Sequence, residues 1–353
     1  MSGDGRDHDG PGRYSDSGMS ANQQSIYAAL PGVEVPVSRV QDELAHMWEG
    51  VQDPGQDEVA EFRASQMNVI IHFGRKTTVE EAVDRFSGTL RFAQRYPCRM
   101  IVLCPEETDR EDTLMTLKMF AECYVGKSQR EKSCCEALIL AYPRESRSFL
   151  ENQVSILLEN DLPTYYWFHH FASARNVAKY LSFLRNCKRI VYESGLETPD
   201  VAEVPWPQPE RVRDLVHARL LPARQSIGQF LSSFDPALLC EGPASIEMRH
   251  SQEMEAEARV LLGWFRARLE ACADLSGVAR LPDSIARVRD AGRGDFPVEL
   301  RCDYGDGRYF YWKADLARNH GRIEANIDRG KLTLPMSVHL LSLEMELAEA
   351  FFF

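Results

Sequence analysis

From residue 67 the chain alternates between short apolar runs and amphipathic stretches. "MNVIIHF" (67–73) is a nearly continuous apolar run, the pattern of a strand buried on both faces. In "TVEEAVDRFSGTLRFAQRY" Val79, Ala82, Val83, Phe86, Leu90 and Ala93 fall on one helical face, and Thr78 and Glu81 stand at capping-box spacing. "RMIVLC" (99–104) predicts a second strand and "EDTLMTLKMFAECY" a second helix. "CEALILAY" (135–142) predicts a third strand, and Phe149, Leu150, Val154, Leu157 and Leu158 a third helix. "PTYYWFHH" (163–170) predicts a fourth strand, Val177, Tyr180, Leu181 and Leu184 a fourth helix, and "RIVYES" (189–194) a fifth strand. Strands alternating with helices predict an α/β layer, mainly parallel, over residues 64–197. The order of its strands is not readable from the pattern.

The flanks read differently. Residues 1–30 are expected to be a disordered tail, because Gly, Asp and Ser dominate the first 25 positions. Residues 31–63 form a helical lead-in, with Val40, Leu44 and Trp48 at helical spacing. "GLETPDVAEVPWPQPERV" is Pro-rich and polar, so residues 198–212 are expected to be a linker. Residues 213–353 predict a smaller α+β domain with antiparallel strands: helices over "RVRDLVHARLLPARQSIGQFLSSF" and "SQEMEAEARVLLGWFRARLEACA", then strands turning at "GDG" (305–307), then a closing helix in "SVHLLSLEMELAEAFFF".

Composition narrows the function classes. An apolar fraction of 44% and a charged fraction of 27% are those of a globular protein. A net charge of −12 and the lack of a basic cluster with interleaved aromatics argue against nucleic acid and anionic membranes as partners. No run has the length of a membrane span and the N-terminus has no apolar signal region, so the expected location is the cytoplasm. Nine scattered cysteines then read as reduced thiols rather than a disulfide framework.

Chemistry is sought where open α/β sheets bind ligands, at the carboxyl ends of the strands. Those ends carry His72, Cys104 with Glu106 and Glu107, His169 with His170, and Glu193. None has close metal-ligand spacing, so no metal or cofactor is expected. "GRKTT" after the first strand holds a single Gly, which disfavours a nucleotide loop; Arg75, Lys76 and the following helix N-terminus leave an anion site open. Cys134 and Cys135 are the redox candidates, with at least one expected to be a core residue. Trp167 lies in an aromatic strand, "PTYYWF", that reads first as core and second as a contact anchor.

In series, these stretches resemble the glucose-6-phosphate dehydrogenase assembly (OpcA) family. "CCEALIL" is similar to that family's Cys-x-Glu-Gln-Ile strand through Cys134 and Glu136, and "DLPTYYWF" to its Asp-Leu-Pro segment through Trp167. "CKRIVYES" and "LLGWFRARL" resemble two further family segments. "DLVHARLLPAR" (214–224) keeps Asp214, Arg219, Leu220, Pro222 and Arg224 of the family pattern, while His217 and Ala223 replace its two Trp residues. The resemblance implies a non-enzymatic partner of glucose-6-phosphate dehydrogenase that favours its active oligomer, with activation that can be redox-sensitive. It nominates Trp167, Asp214, Arg219, Pro222 and Arg224 as partner-binding residues. Self-association stays open. The alternative is a small-molecule sensor or enzyme using the strand-end cleft, with His72, Cys104 and His169 lining it.

Overall fold

The computed structural model describes residues 25–49, 61–63, 65–106, 115–125, 131–143, 147–279, 281–290, 296–328 and 330–353. The expected disordered tail thus lies outside the described residues up to position 24, as does Glu107. The last part of that tail is ordered: α1 (Ile26–Ala29) is capped by the Ser25 hydroxyl, and Tyr27 and Leu30 enter the core.

In chain order the first layer continues with β1 (Val33–Val35), α2 (Val40–Glu49), β2 (Glu61–Arg63), β3 (Met67–Phe73), α3 (Val79–Arg95), β4 (Cys98–Glu106), β5 (Thr116–Val125), β6 (Glu131–Pro143), α4 (Arg147–Leu157), β7 (Thr164–His169), α5 (Ala174–Val177), β8 (Arg189–Tyr192) and β9 (Val212–Asp214). Its sheet has the order β1-β5-β6-β4-β3-β7-β8-β9, with β2 pairing β6. From β6 to β9 the strands are parallel. Chain connection runs outward from β3 through β4 to β6, then returns to β7 and runs outward through β8 to β9. This is the doubly wound order, and its switch point lies between β3 and β7.

All seven residues of β3 are buried, because both faces of the sheet are covered. One face packs Val69, Ile71 and Phe73 on α3; the other packs Ile70 on α4 and on a 3-10 turn over Ala178–Leu184, which replaces the expected fourth helix. The predicted capping box is present, with Thr78 Oγ1 accepting from Glu81 N–H and Glu81 accepting from Thr78 N–H.

The predicted second helix is instead β5, a strand antiparallel to β6. Leu117 and Met119 are buried at a spacing of two, and the ladder with β6 outweighs the helical spacing of Leu117, Phe120 and Tyr124. The linker region is also structured: two 3-10 turns at Pro199–Glu203 and Pro209–Arg211 lead into β9, which joins the sheet edge.

Beyond β9 come α6 (Leu215–Arg219), α7 (Leu221–Leu231), α8 (Pro236–Cys240), β10 (Ser245–His250), α9 (Glu255–Ser276), β11 (Ala286–Asp290), β12 (Val298–Asp303), β13 (Tyr309–Asp315), β14 (His320–Asn326), β15 (Lys331–Met336) and α10 (Leu343–Phe352). The second sheet, β11-β10-β12-β13-β14-β15, is antiparallel except where β11 meets β10. Its inner face, with Met248, Leu300, Phe310, Trp312 and Ile323, packs on Leu261 and Phe265 of α9 and Ile227 of α7. The outer face is charged, as the one-sided burial of an antiparallel sheet requires. The "GDG" turn joins β12 to β13, with Gly305 and Gly307 at positive φ.

α10 returns to the first layer. Leu343, Leu347 and Phe351 enter the core between α3 and β7, and Gly88 of α3 makes room for Leu343. A Cβ at Gly88 would lie 2.2 Å from Leu343 Cδ2.

Candidate functional site

The β3–α3 turn crosses the turn after β7 at close range. Gly74 N–H and the Thr77 hydroxyl both donate to the His169 carbonyl, at 2.7 and 3.1 Å. A Cβ at Gly74 would meet the His170 carbonyl oxygen at 2.1 Å, so only glycine fits. His170 and Ala172 take φ of 58° and 66°, which non-glycine residues rarely adopt. The Glu197 carboxylate holds this turn by accepting from Phe171 N–H at 2.8 Å and from Ala172 N–H. Burial raises the pKa of Glu197, against the pull of those backbone bonds.

In a doubly wound sheet the N-terminus of the helix after the first strand is the place for a phosphate. Here that place is taken by the chain's own carboxylate. Glu81 caps α3 and also lies 3.3 Å from His170 Nδ1. Despite some burial, which raises it, the Glu81 pKa is lowered by the Thr78 backbone and His170. Arg75 and Lys76 are exposed beside it, but the helix end foreseen as their anion partner is already occupied.

His72, Cys104 and His169 do not converge. His72 pairs with Leu103 across β3 and β4, so the next residue, Cys104, faces the opposite side of the sheet. His169 pairs with Phe73 and lies on the Cys104 side. Burial pushes the Cys104 thiol up. Burial, then Arg85, lowers the His169 pKa to about 4, and neither of its ring nitrogens has a hydrogen-bond partner among the described residues. Among the described residues no group of three His, Cys, Asp or Glu is placed to hold a metal.

His72 is instead the centre of a buried hydroxyl chain. Its Nδ1 lies 2.5 Å from Tyr166 Oη, its Nε2 lies 2.6 Å from Tyr142 Oη, and Tyr142 Oη lies 3.1 Å from Tyr180 Oη. Burial lowers the His72 pKa to about 3, so the ring is neutral at pH 7. Tyr142 and Tyr180 end this chain at a cleft of about 120 Å³ at the carboxyl ends of β3, β4 and β6. Arg75, Asn176 and Lys179 also line it.

The nominated partner-binding residues are largely internal. Trp167 is fully buried on the α3 face of β7, which makes it core and corrects its reading as a contact anchor. Asp214 caps α6 by accepting from Val216 N–H at 3.0 Å and accepts the Ser194 hydroxyl proton at 2.7 Å; burial raises its pKa. Arg219 donates to Glu193 at 2.6 Å and to Glu257 at 2.9 Å, and Glu346 lies 3.9 Å away. Those three carboxylates come from the end of β8, from α9 and from α10, so one guanidinium joins both layers. Pro222 and Arg224 are half-buried, and Arg224 pairs with Glu349 at 3.5 Å. His217, in one of the two family Trp positions, has its pKa lowered to about 4 by burial and then by Arg224, Arg213 and Arg268. Sequence reading missed this group because Arg213 of β9 and Arg268 of α9 lie 55 residues apart and only the fold brings them both near His217 of α6. Beside exposed Arg268 an apolar groove of about 400 Å³ runs between α7, α8 and α9, lined by Leu231, Leu239, Trp264 and Leu269.

The cysteines also depart from expectation. Cys134 is bonded to Cys123 of β5, its direct partner across the β5–β6 ladder, so the nine cysteines are not all free thiols. The strand pairing that brings them together is hidden when "EDTLMTLKMFAECY" (111–124) reads as helix. Cys135 is fully buried beside Cys98, as its core reading required. Glu136 pairs with Arg99 across β4 and β6.

The fold and these sites define a two-layer protein built on a doubly wound sheet whose phosphate place is filled by its own glutamate. A family model described as the glucose-6-phosphate dehydrogenase subunit N-terminal domain, that of the OpcA assembly family, matches residues 90–204. A protein of Synechocystis sp. named as an OxPP cycle protein, OpcA, is 25% identical over 183 residues, covering 49% of this chain and 37% of the relative. The OpcA of Synechococcus elongatus is 23% identical over 253 residues, covering 68% of this chain and 55% of the relative. The chain therefore spans between about a third and a little over half of the length of these curated relatives. Glucose-6-phosphate 1-dehydrogenase from Mycobacterium avium aligns at 10% identity with a TM-score of 0.42, over 82% of this chain and 87% of that one. The family model and the curated relatives together bear out the resemblance to the OpcA family read from the sequence. Among the described residues no helix is long and apolar enough to cross a membrane.

Proposed function

We propose that this chain is a non-catalytic partner of glucose-6-phosphate dehydrogenase in the oxidative pentose phosphate pathway, acting in the cytoplasm. It binds the enzyme and favours the active oligomer. The observation that carries this reading is the assembly-family match over residues 90–204, joined by curated relatives named for the same cycle. The Glu81 carboxylate at the dinucleotide phosphate place supports the non-catalytic part, because a like charge there repels a pyrophosphate. The mechanism is linkage: a protein that binds one assembly state better shifts the enzyme toward it.

The contact face proposed for the enzyme is the rim of the 213–224 segment, with Pro222 and Arg224, and the neighbouring Arg213 and Arg268 beside the apolar groove. Its arginines suit an acidic patch on the dehydrogenase that also carries an apolar anchor. Asp214 and Arg219 serve this face by holding it in place. Cys134, with Cys123, is the site assigned to any redox response.

The test is size-resolved chromatography and activity of the dehydrogenase from the same organism, with and without this chain. Co-elution with a changed rate is the expected result. The Arg268→Glu variant is expected to weaken the complex at least tenfold while keeping the fold. No complex in either oxidising or reducing buffer would overturn the reading.

A further inference from the structure

The hydroxyl chain through His72 has a direction. Tyr166 is fully buried and, among the described residues, the only hydrogen-bond partner of its hydroxyl is His72 Nδ1. A buried hydroxyl proton without an acceptor is costly, so Tyr166 donates to Nδ1. A neutral imidazole whose Nδ1 accepts must carry its proton on Nε2. Nε2–H therefore donates to Tyr142 Oη, and Tyr142 donates to Tyr180 Oη. The proton of Tyr180 is left pointing away from the chain, toward the cleft that the Tyr180 ring lines. The opposite direction would strand the Tyr166 proton inside the core.

The cleft receives this proton together with two positive charges. Arg75 and Lys179 line it, and among the described residues that line it none carries a carboxylate. Lys179 is placed: its Nζ donates to Asn176 Oδ1 at 2.9 Å, and Asn176 Nδ2 donates to the Phe171 carbonyl at 3.0 Å. The site stands at the switch point of the doubly wound sheet, where ligands of such sheets bind. Its volume of about 120 Å³ leaves room for one small anionic group.

We propose that this cleft binds the oxyanion group of a small metabolite, a phosphate or a carboxylate, through Arg75, Lys179 and the Tyr180 hydroxyl. The site is distinct from the proposed enzyme-binding face and does not depend on it. Tyr166, His72 and Tyr142 act as positioning residues, since they fix which way the Tyr180 proton points.

Calorimetric titration of the full chain in chloride buffer tests this, with inorganic phosphate, acetate and neutral glucose as separate probes. Saturable binding of phosphate or of acetate at one site per chain is expected, and none of glucose. Preference for phosphate assigns a phosphate ester, and preference for acetate a carboxylate. Tyr180→Phe and Lys179→Met are each expected to weaken binding at least tenfold with little change in melting temperature. Nitrogen-15 resonances of His72 should show a protonated Nε2 and a bare Nδ1. Absence of binding by both anions up to millimolar concentration, equal binding by both variants, or the opposite His72 tautomer would each overturn the proposal.

Discussion

Glu346 is buried against two other carboxylates, Glu193 and Glu257, with Arg219 and Arg85 as the counter-charges. Burial first, then the two glutamates, raise its pKa from 4.5 to about 7 against the pull of the two arginines. The folded state therefore holds a proton that the unfolded chain releases between those values. By linkage, stability present below pH 4.5 falls as pH rises toward 7. Glu346→Gln keeps the uncharged shape and should flatten the fall of melting temperature between pH 5 and pH 7; an unchanged slope would refute the assignment. The two tight glycines separate by what they touch. Gly74→Ala presses on the His170 backbone and should cost at least about 2 kcal/mol in urea unfolding. Gly88→Ala presses on the tip of the Leu343 side chain, which can turn away, and should cost about 1 kcal/mol.

Among the elements, the β5–β6 pair shows what a single-sequence reading can and cannot reach. The β3 strand and the α3 capping box were legible because local pattern alone determines them. Leu117, Phe120 and Tyr124 fit a helix as well as they fit a strand, and only the long ladder with β6 decides between them. The Cys123–Cys134 bond was lost with the strand, and so was the arginine group around His217, since both depend on non-local pairing. His72 and Tyr180 were each visible as residues, but their joint chain needs the order of β3, β6 and β7. Closing an 11-residue separation, the disulfide should contribute about 3 kcal/mol by chain entropy. Cys123→Ser is expected to lower the melting temperature in oxidising buffer and to match the wild type in reducing buffer.

At the scale of the whole molecule, Arg219 is the joint. It neutralises carboxylates from β8, α9 and α10 at once, and removing it leaves three buried acids without their main partner. Arg219→Met should cost about 3–5 kcal/mol, read as one urea transition in which both sheets unfold together. Two separate transitions in the wild type would show that the layers do not depend on each other.

α10 sets a timetable for this chain at the ribosome. The strands and helices of the first layer emerge early, yet the face of α3 that carries Gly88 stays uncovered until residues 343–352 arrive. At ordinary rates of synthesis that wait is roughly 10–50 s after α3 has left the exit tunnel. For that interval Phe92, which packs on Phe351 and Phe352 of α10, is exposed to whatever binds apolar surface in the cell. A nascent chain stalled before residue 343 should hold a chaperone that one already carrying a folded α10 does not.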